Sequence, residues 1–183
     1  KGIKVSCDLN YRKKLWTKDK AKAIMTKLMP YVDVLIANEE DCQDVFGIKA
    51  QNTDILSGDI SKEGYKSVAK QLVEKFKFQY LAIALRGSIS ASDNRWSGML
   101  YDGKEFYFSK EYMIRIVDRV GGGDSFGGGL IFSMLKGFEN QKCIEFAVGA
   151  SCLKHTIEGD ANMVSVDEVL KLIEGDASGR VQR

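Results

Sequence analysis

Histidine and proline occur once each in this chain of 183 residues, as His155 and Pro30. A single histidine excludes a multi-histidine metal centre and a relay through two imidazoles. Cysteine is sparse, and Cys7, Cys42, Cys143 and Cys152 form no C-x-x-C pair. They are expected to be reduced, mostly buried thiols of a cytoplasmic protein rather than metal ligands or disulfides. Neither sign of charge prevails: 27 Lys and Arg against 25 Asp and Glu leave a formal balance of +2. The basic residues are scattered, which excludes the clustered excess of a nucleic-acid backbone reader. Apolar runs such as Leu81–Leu85 fall far short of the ~20 residues that span a membrane. What remains, 44% apolar and 28% charged, is the composition of one globular domain or most of one. The start, Lys1-Gly2-Ile3-Lys4, has no initiator Met and no signal-type apolar segment, so the chain is expected to begin inside a longer fold.

Strand and helix patterns alternate. Ile3–Leu9 reads as a buried strand that ends in a polar run, Asp8, Asn10 and Arg12. Thr17 caps a helix with Ala21, Ile24, Met25 and Leu28 on one face, and Pro30 ends it. Val32–Ala37 is a short strand, and Asn38 opens a helix with an acidic first turn. Residues 49–60 read as a loop, and Ser61 begins a helix that runs to about Phe76. Tyr80–Leu85 is a strand, followed by a Ser-rich connection over Arg86–Ser97. Asp102-Gly103 between apolar runs predicts a hairpin of type I′. After a strand at Ile114–Val117, helices are expected at roughly Gly123–Leu135, Gln141–Lys154 and Ser165–Glu174. This alternation predicts an α/β layered domain with a mostly parallel sheet, whose ligands sit at the carboxyl ends of its strands.

The stretch most loaded with chemistry is Asp118-Arg119-Val120-Gly121-Gly122-Gly123-Asp124-Ser125-Phe126-Gly127-Gly128-Gly129. Gly121, Gly122 and Gly123 let backbone N–H groups approach a ligand at a helix start, which builds an anion hole. The pattern is neither a Walker A loop nor a G-x-G-x-x-G fingerprint. Asp124 beside such a hole would repel a resting phosphate unless it served to take a proton from an attacking hydroxyl. The alternative is a tight turn with Asp124 as a helix cap. Gly127–Gly129 are read as close-packing positions.

Asp118–Asp124 with Ser125-Phe126 resembles the D-T-x-G-A-G-D signature of the ribokinase-like (PfkB) carbohydrate kinases. The resemblance extends over essentially the whole chain. Asp8-Leu9-Asn10-Tyr11-Arg12 with Leu15-Trp16, and Lys154-His155-Thr156-Ile157-Glu158-Gly159-Asp160 with Asn162, are similar to segments of the bacterial 2-keto-3-deoxygluconate kinase branch. The tail from Gly175 to Arg183 fits that branch as well. The resemblance implies a three-layer ribokinase-like α/β fold, a mostly parallel sheet with helices on both faces. Residues 1–183 would be its C-terminal nucleotide-binding and catalytic part, without the N-terminal sugar-binding and lid part.

The implied reaction moves the ATP γ-phosphate to a primary hydroxyl of 2-keto-3-deoxygluconate. Fructose or a nucleoside is the alternative acceptor, and a non-catalytic nucleotide-binding fragment the alternative role. Asp124 would be the general base, and Gly121, Gly122 and Gly123 would hold the transferring phosphate. Arg12 would meet phosphate or the sugar-acid carboxylate, and Asp160 the substrate hydroxyls. Arg12 as a solvated arginine and Asp160 as a plain turn stay open on the residues alone. Asn10, Tyr11 and Arg12, the segment Leu85, Arg86, Gly87, Ser88 and Ser90, and Val148 would surround the nucleotide. Asn38 and Asp41 match the N-x-x-E element that positions Mg²⁺ through water, with Asp41 one methylene shorter than the family glutamate and Glu40 a substitute. His155 is read as a packing and hydrogen-bonding residue. Partners are expected to be ATP, a sugar acid and further copies of the chain in a homo-oligomer, with no membrane and no nucleic acid.

Overall fold

The computed structural model describes residues 2–48 and 62–175. The loop expected over residues 49–60, the helix start at Ser61 and the tail after Gly175 lie outside them. Six strands form one mixed sheet: β1 (Ser6–Asp8), β2 (Val34–Asn38), β3 (Tyr80–Ser88), β4 (Asp93–Tyr101), β5 (Phe106–Phe108) and β6 (Tyr112–Arg115). The order is β1-β2-β3-β4-β5, with β6 also on β4. The pairs β1–β2 and β2–β3 are parallel, and those of β4 with β3, β5 and β6 are antiparallel. The helices are α1 (Lys18–Leu28), α2 (Glu39–Phe46), α3 (Lys62–Phe76), α4 (Gly122–Leu135), α5 (Asn140–Lys154) and α6 (Val166–Glu174).

Because side chains alternate along a strand, each central strand feeds two cores. Leu35, Leu81, Ile83, Leu85 and Met99 face a layer built from α1, α2 and α3, with Ala21, Val45 and Leu72. Ile36, Ala82 and Leu100 face α4 and α5, meeting Phe126, Leu130, Ile144 and Val148. The expected α/β layering with helices on both faces follows directly. α5 is buried on most of its circumference: Ile144 and Val148 lie on β4, and Phe146 and Ala150 join Val169 and Ile173 of α6 in a third cluster.

Helix starts fall where their chemistry puts them. Thr17 Oγ1 accepts from Lys20 N (3.3 Å), Asn38 Oδ1 from Asp41 N (2.8 Å), and Ser165 forms a full capping box with Glu168. Pro30 sits in a 3₁₀ turn, Met29–Tyr31, that closes α1. Three expectations need correction. The buried strand expected over Ile3–Leu9 is only Ser6–Asp8, and Ile3 and Val5 stand exposed. The Ser-rich stretch after Arg86 is not a connection: β3 runs on to Ser88 and turns directly into β4. Ser90 makes that turn, its Oγ accepting from Asp93 N (2.9 Å) and donating to Asp93 Oδ2 (3.0 Å). Asp102-Gly103 is indeed in a hairpin, but the loop is four residues, Tyr101 pairing with Phe106. Of the two, Gly103 alone has positive φ (87°), so the turn is not type I′. Asp102 Oδ1 stabilises it by accepting from Lys104 N and Glu105 N (2.9 and 2.7 Å).

Candidate active site

The carboxyl ends of β1, β2 and β3 open into a cleft of about 250 Å³. Asp8, Asn10 and Arg12 come from the end of β1, Asn38, Glu40 and Asp41 from the end of β2, and Arg86 from β3. Arg119, Gly123 and His155 complete its polar lining, and Trp96 and Phe126 give it apolar walls. Asn10 adopts φ 39°, a turn held by Asp8 Oδ1 accepting from Asn10 N (3.1 Å). Arg12 folds its head back so that Nη1 donates to Tyr11 O (3.1 Å). Arg86 Nη2 stands 4.0 Å from Glu40 Oε1 across the cleft. Arg119 is anchored by Nη2 donating to Ala91 O (2.8 Å) and, with the Asn94 amide turned to match, Nη1 donating to Asn94 (3.2 Å).

The carboxylates here are crowded. Asp41 is buried, and its Oδ2 accepts from Asn38 Nδ2 (2.9 Å). Burial first, then the nearby Asp8 charge, push its carboxyl up to about 6, although the Arg12 guanidinium pulls the other way. Asp8 is likewise raised, by enclosure and by Asp124, against the Asn10 N–H and Arg12. No group of three or more acidic, histidine or cysteine side chains among the described residues makes a metal cage by itself. A pair of mutually repelling carboxylates beside an amide suits Mg²⁺, which keeps most of its waters and takes few protein ligands.

The glycine turn is built from below. Gly121 has φ +81°, and a Cβ there would run into the backbone carbonyl of Asp160. At Gly122 a Cβ would lie 2.5 Å from His155 Cε1. Ser151 Oγ donates to Gly122 O (2.8 Å), and His155 Nδ1 lies 2.6 Å from Ser151 O, which fixes it as the N–H donor. Burial holds this imidazole below its ordinary range, neutral at pH 7, with its ring 4.7 Å from that of Trp96. Asp118 ties the turn to the next loop, accepting from Val120 N (2.9 Å) and Gly159 N (3.0 Å), and these bonds hold its carboxyl low. Gly122 N donates to Arg119 O (3.3 Å) and Ser125 N to Gly121 O (2.9 Å). Among the described residues, that leaves the N–H groups of Gly123 and Asp124 without a protein partner at the head of α4. Gly121 and Gly122 are thus also packing positions, whereas Gly123 faces the open cleft.

Gly121, Asp124 and Asp160 line a second cleft of about 320 Å³, with Asn162, Ser165 and the apolar Phe132, Phe146, Val164 and Val169. The head of α4 therefore stands between two clefts, Gly123 on one and Asp124 on the other. Of the glycines expected to pack, Gly127 lies against Ile36 of the sheet and Gly129 against Ala147 and Ala150 of α5, but Gly128 does not: a Cβ there would meet nothing within 4 Å, and it lines the second cleft. Of the expected nucleotide residues, Asn10, Arg12 and Arg86 line the first cleft. Leu85 and Val148 are fully buried core residues, and Tyr11 turns inward with its OH donating to Trp16 O (3.2 Å). Gly87 and Ser88 are spent on the β3–β4 ladder, and Ser90 on its turn. Asp8, Arg119 and Trp96 are site residues that sequence reasoning missed. The first two stand inside the motifs; Trp96 gave no signal, because Arg86–Ser97 was expected to be a connection.

An α/β layered chain with a glycine-rich helix start beyond the ends of parallel strands is the class that fold and site define. The chain belongs to the pfkB family of carbohydrate kinases, whose family model matches residues 1–167. It is 30% identical over 178 residues to a 2-dehydro-3-deoxygalactonokinase of Haloferax volcanii, covering 97% of this chain and 49% of that protein. The crystal structure of 2-dehydro-3-deoxygluconokinase from Thermotoga maritima superposes with a TM-score of 0.88 at 49% identity, over 95% of this chain and 51% of that one. A PfkB family carbohydrate kinase from Listeria grayi gives 0.81 at 31% identity, over 95% and 51%. The chain thus spans about half the length of the relatives it matches.

Proposed function

We propose that the 183 residues are the nucleotide-binding and catalytic half of a ribokinase-like sugar-acid kinase that uses ATP and Mg²⁺. The observation that carries this reading is the head of α4, set between two clefts with free N–H groups and a carboxylate. ATP enters from the first cleft, where Arg12, Arg86 and Arg119 offer planar donors to its phosphates. The acceptor enters from the second, where Asp160 and Asn162 meet hydroxyls. Asp124 takes the proton of the acceptor hydroxyl, whose oxygen attacks the γ-phosphorus. The bond to the β–γ bridging oxygen breaks, and its electron pair leaves on ADP. The N–H groups of Gly123 and Asp124 receive the charge spread over the transferring oxygens. Asp41 and Asn38 would hold Mg²⁺ through water, and the ion would supply charge neutralisation between the phosphates.

Kinship with the two dehydro-deoxy-sugar-acid kinases makes 2-keto-3-deoxygluconate the acceptor we propose. The test is ADP release from ATP and Mg²⁺ with 2-keto-3-deoxygluconate, 2-keto-3-deoxygalactonate, fructose or adenosine, using the full-length chain. The gluconate derivative should give the highest kcat/KM; preference for fructose or adenosine would overturn the assignment. Asp124→Asn should lower kcat about 10²–10⁴-fold with nearly unchanged ATP affinity. A variant that keeps more than about a tenth of the turnover would remove Asp124 as the base.

A further inference from the structure

Lys154 is the one fully buried charged side chain among the described residues. It ends α5, and its Nζ donates to Ile157 O (3.1 Å). Among the described residues, no ion pair within 4.0 Å involves it. An ammonium taken out of water without a contacting counter-ion is costly, so its place must be compensated. Three features compensate it: the carbonyls at the C-terminal end of α5, the Ile157 carbonyl, and the Asp118 carboxylate within electrostatic reach.

These same groups form a junction. Asp118 bridges the glycine turn and the 157–160 loop through Val120 N and Gly159 N, and Val117 N and Asp118 N donate to His155 O (2.8 and 3.3 Å). Lys154 Cε lies 3.2 Å from the point where a side chain on Gly121 would begin. The ammonium therefore sits where the end of α5, the turn that carries Asp124 and the loop that carries Asp160 meet.

We propose that Lys154 is a positioning residue, a built-in cation that holds the glycine turn and the 157–160 loop in register, so that Asp124 and Asp160 face one acceptor. The inference rests on the kinase reading above for its catalytic consequence. Without the charge, the Ile157 carbonyl loses its donor and the Asp118 carboxylate a nearby positive charge, and the two loops drift apart while the outer surface of both clefts keeps its side chains.

The test compares wild type, Lys154→Met and Lys154→Ala in the full-length chain. Lys154→Met should lower kcat at least tenfold while KM for ATP changes less than twofold. In Lys154→Ala, propylammonium, which replaces the deleted atoms and charge, should restore kcat at least threefold, and 1-propanol should not. Lys154→Met turnover within twofold of wild type would overturn the proposal, as would equal rescue by amine and alcohol, which marks cavity filling. Should Lys154→Met fail to fold, the melting temperature of Lys154→Ala decides: a rise with propylammonium but not with 1-propanol supports it, and no difference overturns it. If wild type transfers no phosphate, the kinase reading fails, and the melting comparison still decides whether Lys154 holds the loops.

Discussion

Neighbouring glycines of the turn answer to different constraints. Gly121→Ala puts a methyl into the Asp160 carbonyl at a left-handed φ and should cost more than about 2 kcal/mol. Gly123→Ala meets nothing within 4 Å and should leave the melting temperature within a degree or two, while it slows transfer by crowding the open cleft. Thermal melts of the two variants check this contrast; equal destabilisation would refute it. Asp41 gives a pH-dependent counterpart. Its carboxyl is raised to about 6, so the folded state holds that proton more tightly than the unfolded chain does. Stability is therefore lost as pH rises from about 4 through 6 and stays reduced above. Asp41→Asn removes that loss. The variant should match wild type near pH 4 and exceed it above pH 7 by on the order of 1–3 kcal/mol, as read from denaturant melts across pH.

Hairpins and helix ends are where single side chains steer whole elements. Asp102 serves the β4–β5 loop with one oxygen, and with the other it accepts from Tyr107 OH and Asn140 Nδ2 (both 3.1 Å), binding the hairpin to the start of α5. Asp102→Ala should cost about 1–3 kcal/mol, and Asp102→Asn less; chemical denaturation would show the order. At this scale the sequence was readable wherever local chemistry speaks alone. Thr17, Asn38 and Ser165 announced their helices because an N-cap is satisfied within three residues. The first half of β4 was unreadable because Asn94 and Ser97, polar residues on opposite faces of the strand, are both buried and erase the alternation. That Arg12, Asp124 and Asp160 line the clefts was legible from their motifs. That Gly121 and Gly122 lie against Asp160 and His155 depends on contacts 30 to 40 residues away that no local pattern encodes.

As a whole, the described chain is one sheet between two helical layers, and no described helix is long and apolar enough to cross a membrane. Its stability should couple to the nucleotide. A non-hydrolysable ATP analogue with Mg²⁺, at about 100 times its dissociation constant, should add about 2.7 kcal/mol. Arg86→Ala should shrink the resulting thermal shift, because it takes one of three guanidinium groups from the first cleft. A shift that survives unchanged in Arg86→Ala would move the phosphates elsewhere.

Gly121 and Asp160 touch without a spare ångström between them, and that contact limits how new specificities can be engineered. A 157–163 segment transplanted from a relative with another acceptor must return its carbonyl to the same spot, or the turn beneath Asp124 shifts with it. Altered substrate choice is thus better sought by changing Asn162 and Val164, whose side chains reach the second cleft without bearing on the turn.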